Sequence, residues 1–245
     1  MPDQIQENKR RAATLVGGVV AVVGIVLGLL GLLLLGWIGL IIGFVLAGAA
    51  AAVFVRRSTA MVLVRAGGRP ADDVAHARLR NVVEGLCVAG GLPVPALYVL
   101  EEPSPNALTC GRNPRDAGLV VTSGLLDGLS RIELEGVMAH ELSHIKGLDI
   151  LPGTLAAAIP GAQWLAGRLW SAQTAEALAD LQAVGMTRYP PGLLAALEKL
   201  QADSSTMQPR SPSITHLWLK PPETGGRGGE VTPPLEERIE ALKEL

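Results

Sequence analysis

Between Ala12 and Val55 the chain carries no charged residue. One helical crossing of a bilayer takes about 20 apolar residues, so this block has the length of two crossings. It is also far longer than the apolar region of a secretory signal, about 7–15 residues. Gly31, Gly36 and Gly39 cluster around Trp37, where the chain is expected to turn. The reading is a hairpin of two membrane helices, residues 12–34 and 38–55, joined by a very short turn. Gly24-xxx-Gly28 and Gly39-xxx-Gly43-xxx-Ala47 offer small faces on which the two helices can approach closely. Lys9, Arg10 and Arg11 precede the block, and Arg56, Arg57, Arg65 and Arg69 follow it. Basic flanks stay cytoplasmic, so residues 1–11 and 56–245 are both expected on the cytoplasmic face of the cell membrane, the latter as one globular domain.

That domain carries 18 Lys and Arg against 21 Asp and Glu. With no basic excess or stripe, nucleic-acid binding is excluded. Cys87 and Cys110 have neither CxxC spacing nor the density of a disulfide scaffold, and they read as reduced thiols facing the cytosol. The stretch Thr224–Glu230 holds one arginine among glycines and follows no strand, so it reads as a linker rather than a phosphate or RNA loop.

Apolar periodicity predicts a helix over 71–89 that stops at Gly90-Gly91. Short apolar runs predict strands over 95–100 and 117–122, around the turn Gly111-Arg-Asn-Pro114. Ser130-Arg-Ile-Glu133 is a capping-box pattern opening a helix through Ile145, closed by Gly147. Further helices are expected over 172–187 and 191–203, then a loop over 204–234 and a last short helix from Leu235. The class is α+β, mainly helical with a small sheet behind the membrane hairpin.

Within the capped helix stands His140-Glu-Leu-Ser-His144. At i and i+4 the two imidazoles leave one face a turn apart, the separation that two ligands of one tetrahedral Zn²⁺ need. Glu141 stands beside them, where a carboxylate can take a proton from an attacking water. Catalytic zinc usually takes three protein ligands. Glu176 and Asp180, four residues apart on the helix over 172–187, supply the candidates: Glu176 as third ligand, Asp180 to orient a ligand histidine from behind.

These motifs, with Gly91-Leu-Pro-Val-Pro95, Pro105-Asn-Ala-Leu108, Val121-Thr-Ser-Gly-Leu-Leu126 and Pro233-Pro-Leu-Glu-Glu-Arg-Ile239, make the chain resemble the HtpX-like membrane-anchored zinc endopeptidases, relatives of the CAAX prenyl-protein endopeptidases. The resemblance implies a zincin-type fold, one zinc on His140, His144 and Glu176, Glu141 as base, and misfolded or membrane-proximal polypeptides as substrates in membrane-protein quality control. It also implies an edge strand near 117–122 that receives substrate as an added strand, with Val120 and Val121 in contact with it; Asn106 reads either as positioning substrate or as binding backbone in a turn.

Two departures stand out. Only residues 150–175 lie between the histidine helix and Glu176, where the family commonly has a second hairpin, and with Pro152, Pro160 and Arg168 the segment 150–170 reads as a broken arm on the membrane surface or domain. Where the family often has Thr-His-Pro-Pro, this chain has Val231-Thr-Pro-Pro234; His216 and His76 read as surface or packing histidines, and Arg238 equally as a structural ion pair or a contributor to catalysis. The competing class is a zinc-stabilised membrane scaffold that binds unfolded chains without cutting them. Glu141 speaks against it, because a scaffold has no use for the base. Nothing in the sequence sets an oligomeric state.

Overall fold

A computed structural model describes residues 2–159, 172–208, 210–222 and 233–245. Its first helix, α1, runs over Pro2–Ala66 and reverses at Gly36, whose φ of 64° and ψ of −148° are essentially open only to glycine. The two arms lie back to back. A Cβ built on Gly31 would meet the Gly39 carbonyl oxygen at 2.1 Å, and one on Gly43 would meet that of Leu27 at 2.5 Å. Of the glycines that the spacing marked, Gly39 and Gly43 bring backbone against backbone, as does Gly31 of the turn cluster, whereas Gly24 and Gly28 leave room for the Phe44 ring. Outward along the arms, Val26, Ile41 and Val45 are 60% exposed or more, apolar surface of the kind that lipid covers. Among the described residues α1 is the helix long and apolar enough to cross a membrane. Its arms run past both ends of the uncharged block, and Val62 and Ala66 end the second arm inside the globular core.

The strands are β1 (Arg69–Pro70), β2 (Ala96–Leu100), β3 (Ala107–Gly111) and β4 (Ala117–Thr122). They order β1-β2-β4-β3, with β2 and β4 parallel and the outer pairs antiparallel. Both faces are covered. Leu97, Val99, Ala107, Leu119 and Val121 belong to the main core with α2 (Ala77–Gly90) and α4 (Arg131–Gly147). Leu100, Leu108, Cys110 and Val120 face Val62 and Ala66 of α1. The remaining helices are α3 (Ser123–Gly128), α5 (Ile150–Ala158), α6 (Ala172–Thr187), α7 (Pro190–Ala202) and α8 (Leu235–Lys243). The result is the mainly helical α+β class with a small mixed sheet.

Four expectations change. The strand over 117–122 is not an edge: β4 pairs with β2 on one side and β3 on the other, placing Val120 opposite Tyr98 and Leu108 and Val121 opposite Val99 and Ala107. Neither valine is available to an added strand. A run as uniformly apolar as Ala117–Val121 belongs to a strand covered on both faces, which is what a central strand is. The outer strands are the two-residue β1 and, beside β4, β3, where Leu219 N–H donates to the Ala107 carbonyl at 2.9 Å and Gly111 N–H to Thr154 Oγ1 at 2.8 Å. Second, α2 starts at Ala77 rather than 71, because Asp72 Oδ1 accepts from the N–H groups of Val74 and Ala75 and holds those residues in a turn. Third, α4 keeps Gly147 helical, and Leu148 takes the left-handed position with φ 58°. Fourth, the loop over 204–234 contains a 3-10 turn, Pro212–Leu217. Of the segment 150–170, α5 is buried between α1 and β3; residues 160–171, the glycine-rich stretch 224–230, and Val231 and Thr232 lie outside the described residues.

Candidate metal centre

The start of α4 fixes the phase of everything on it. Ser130 N–H donates to Glu133 Oε2 at 2.7 Å and Glu133 N–H to Ser130 Oγ at 3.4 Å, the reciprocal pair that the sequence pattern announced. Gly136 lets the backbone of α7 in close, since a Cβ there would sit 2.5 Å from Leu193 N. Sunk between helices and sheet in this way, α4 turns His140, Glu141 and His144 inward, none more than 8% exposed.

The Nε2 atoms of His140 and His144 stand 3.0 Å apart. From α6, Glu176 places Oε2 3.4 Å from His140 Nε2 and Oε1 3.4 Å from His144 Nε2. Ligand atoms about 2.0–2.1 Å from a tetrahedral zinc lie roughly 3.3–3.4 Å from one another, so the three side chains are spaced to hold one ion. The orientation agrees. Asp180 Oδ1 lies 2.7 Å from His140 Nδ1 and Asp149 Oδ2 lies 2.9 Å from His144 Nδ1. Each carboxylate accepts from Nδ1–H and thereby assigns the tautomer whose Nε2 lone pair points to the centre.

Charge points the same way. Glu141, Asp149, Glu176 and Asp180 are all at this centre, and among the described residues Arg238 is their one permanent cation, with Nη1 3.0 Å from Glu176 Oε2 and Nη2 2.7 Å from Asp180 Oδ1. Buried charge this unbalanced is met by protons on the imidazoles or by a bound cation in their place. Burial alone would depress the His144 imidazole, yet Asp149 and Glu176 hold it up at about 10. Burial would raise Glu176, but Arg238 and His144 keep it at about 2. Glu176 Oε2 still has no aligned hydrogen bond, its contact with Arg238 being an ion pair by distance only. A divalent ion would satisfy that oxygen and take the place of the proton on His144. Glu141 is different: burial pushes its carboxyl above the usual range, against His140 and His144, and Thr109 donates its hydroxyl to Oε2 at 3.0 Å.

The structure thus brings His140, Glu141, His144, Glu176 and Asp180 into one cluster, and among the described residues His140, His144 and Glu176 form the group able to hold a metal. Asn106 is elsewhere employed. Its Oδ1 accepts from the N–H groups of Ala107 and Lys220 and its Nδ2 donates to the Lys220 carbonyl at 2.6 Å, a clasp that seats the 218–220 segment beside β3. His76 stands at the N-cap position of α2 without a capping hydrogen bond, its Nδ1 accepting from Asp72 N–H, and His216 lies against the Gly153 carbonyl. Sequence reasoning missed Asp149 and Thr109. Asp149 follows the left-handed Leu148, whose turn no local pattern announces, and Thr109 sits on β3, a strand outside the two expected over 95–100 and 117–122. Arg238 resolves as the ion-pair partner of both α6 carboxylates.

The sequence comparisons with known proteins converge on one family. The model of peptidase family M48 matches residues 73–245. A protein named Protease HtpX homolog from Dictyoglomus thermophilum is 33% identical, covering 85% of this chain and 82% of its own. Another from Limosilactobacillus reuteri is 29% identical over 99% of both. Among solved structures, that of S. mikatae Ste24p aligns with a TM-score of 0.47 at 20% identity, over 78% of this chain and 56% of that one.

Proposed function

The chain belongs to peptidase family M48, and from that membership we propose a zinc-dependent endopeptidase that crosses the cell membrane twice and faces the cytoplasm with its catalytic domain. Its relatives make it a membrane metalloprotease acting on polypeptides. Zinc is the metal expected of the family, and His140, His144 and Glu176 are the residues to hold it. Bound there, zinc would supply a Lewis acid for the scissile carbonyl and acidify an adjacent water.

The chain's own residues do the rest. Glu141 takes the proton of the attacking water and returns it to the leaving amine. Its raised pKa makes it a stronger base than a solvated carboxylate, and Thr109 fixes Oε2 so that the other oxygen is free to face the water. Asp180 and Asp149 hold the imidazoles, and Arg238 holds Glu176 and Asp180. The observation that carries the reading is Glu141 itself. A scaffold would need the three ligands, but not a buried base beside them.

Misfolded and membrane-proximal proteins are the proposed substrates, in membrane-protein quality control. What supports this is the anchor: α1 is continuous into the core at Val62 and Ala66, so the centre is held near the bilayer by helix rather than by a loose tether. The test is cleavage of an unfolded protein, and self-cleavage, by zinc-loaded wild type and Glu141→Gln in detergent. The variant should keep zinc and lose roughly 10²–10⁴-fold in rate. Cutting by neither protein while both hold zinc would hand the chain to the scaffold class.

A further inference from the structure

The start of α1 reaches the metal centre from behind. Asn8 is 5% exposed, and its Nδ2 donates to the Gly147 carbonyl at 3.1 Å. Gly147 is the last residue of α4, and its carbonyl is one of those that a helix end leaves without an intrahelical partner. Gln4, one turn earlier on the same face, lies so near that a Cβ on Gly147 would be 3.3 Å from its Nε2. Further along the arm, Ala12 and Leu15 pack on Leu155 and Ala156 of α5. Between these two attachments runs the turn Leu148–Asp149. Leu148 is held at φ 58°, which a side chain adopts only under support from its surroundings. Asp149 then reaches His144 Nδ1 through Oδ2, while its Oδ1 is buried with no hydrogen-bond partner. A cavity of about 360 Å³ lies between Asp3 and Glu7 on α1 and Asp149 and Ala175 beside the centre, so most of the first turns stand off from Asp149. Asn8 borders the cavity too, and its hydrogen bond to Gly147 ties α1 to the chain two residues before Asp149.

We propose that Asn8 is a positioning residue for the metal centre: by fixing the end of α4 it sets the Leu148–Asp149 turn, and through Asp149 the direction in which His144 presents Nε2. The segment before the membrane block is then part of the catalytic scaffold as well as a topological flank. This rests on the reading of His140, His144 and Glu176 as a zinc site, and it adds a residue that contacts none of them.

The test uses the full-length protein in detergent: wild type, Asn8→Asp, which keeps the shape and loses the donor, Asn8→Leu, and Lys9→Ala at an exposed neighbour. Zinc release to a chelator, the visible spectrum of the cobalt-substituted protein, the thermal midpoint, and kcat and KM are measured. Both Asn8 variants are expected to release zinc about 10-fold faster, to shift the cobalt bands, and to lower kcat with KM unchanged; Lys9→Ala should match wild type. A lowered thermal midpoint with wild-type zinc release and cobalt spectrum would make Asn8 a packing residue only and overturn the proposal. If Asn8→Leu does not fold, Asn8→Asp decides by the same readouts. A wild-type protein that takes up neither zinc nor cobalt removes the zinc reading itself, a result that no Asn8 variant can mimic.

Discussion

Thr109 and Glu141 show what one hydroxyl does for a buried base. Burial is the largest influence on Glu141 and pushes its carboxyl up, while the Thr109 hydrogen bond favours the ionised form and pulls it down. Thr109→Val removes that donor and keeps the volume, so the carboxyl should rise further. A base must be ionised to act, and the acid limb of kcat/KM against pH should therefore move to higher pH, by about one unit for a hydrogen bond to a charged group. The alkaline limb should stay in place. An unmoved acid limb would mean that the 3.0 Å contact does not govern the base. At this scale the sequence was informative wherever chemistry follows from spacing along one helix. His140, Glu141 and His144 share α4, Glu176 and Asp180 share α6, and their mutual placement is helical geometry. Thr109 and Asp149 reach the centre only through tertiary structure, from a strand and from a turn after a left-handed leucine, and no periodicity encodes that.

Elements were legible in proportion to how local their causes are. The capping box set the start of α4, and the apolar runs placed β2 and β4, because those signals are complete within a few residues. Strand order is not local. β3 and β4 are both apolar, and what makes β4 central is β2 pairing with it in parallel across a long connection. In the hairpin the decisive property is again close range, and it gives a discriminating experiment. Gly31 faces the Gly39 carbonyl, whereas Gly48 has nothing within 4 Å of an added Cβ. Gly31→Leu must force the arms apart at a cost of at least about 1–3 kcal/mol, while Gly48→Leu meets open surroundings. The thermal midpoint of the detergent-purified protein should fall clearly for the first and barely for the second. Equal effects would mean that the arms do not associate through their glycines.

At the scale of the whole molecule, one long element joins the bilayer to the chemistry, and the proposed topology has a direct check. If both arms cross, Trp37 at the reversal emerges on the outside, and Asn8, the metal centre and α8 share the inside. The native cysteines permit labelling without interference: Cys87 and Cys110 are buried, and burial raises their thiols to about 11 and about 12, leaving little reactive thiolate. A membrane-impermeant maleimide should therefore label Trp37→Cys in intact cells, Trp37 being 75% exposed. Lys243→Cys, on the exposed side of α8, should react only once the membrane is opened. Labelling of both positions only after opening would put the hairpin on one surface, with α1 lying along the bilayer. Labelling of Lys243→Cys in intact cells would invert the orientation that the basic flanks require. Either result would leave the metal centre standing and change which polypeptides it can reach, since a site carried on rigid helix cuts only what comes to its own side.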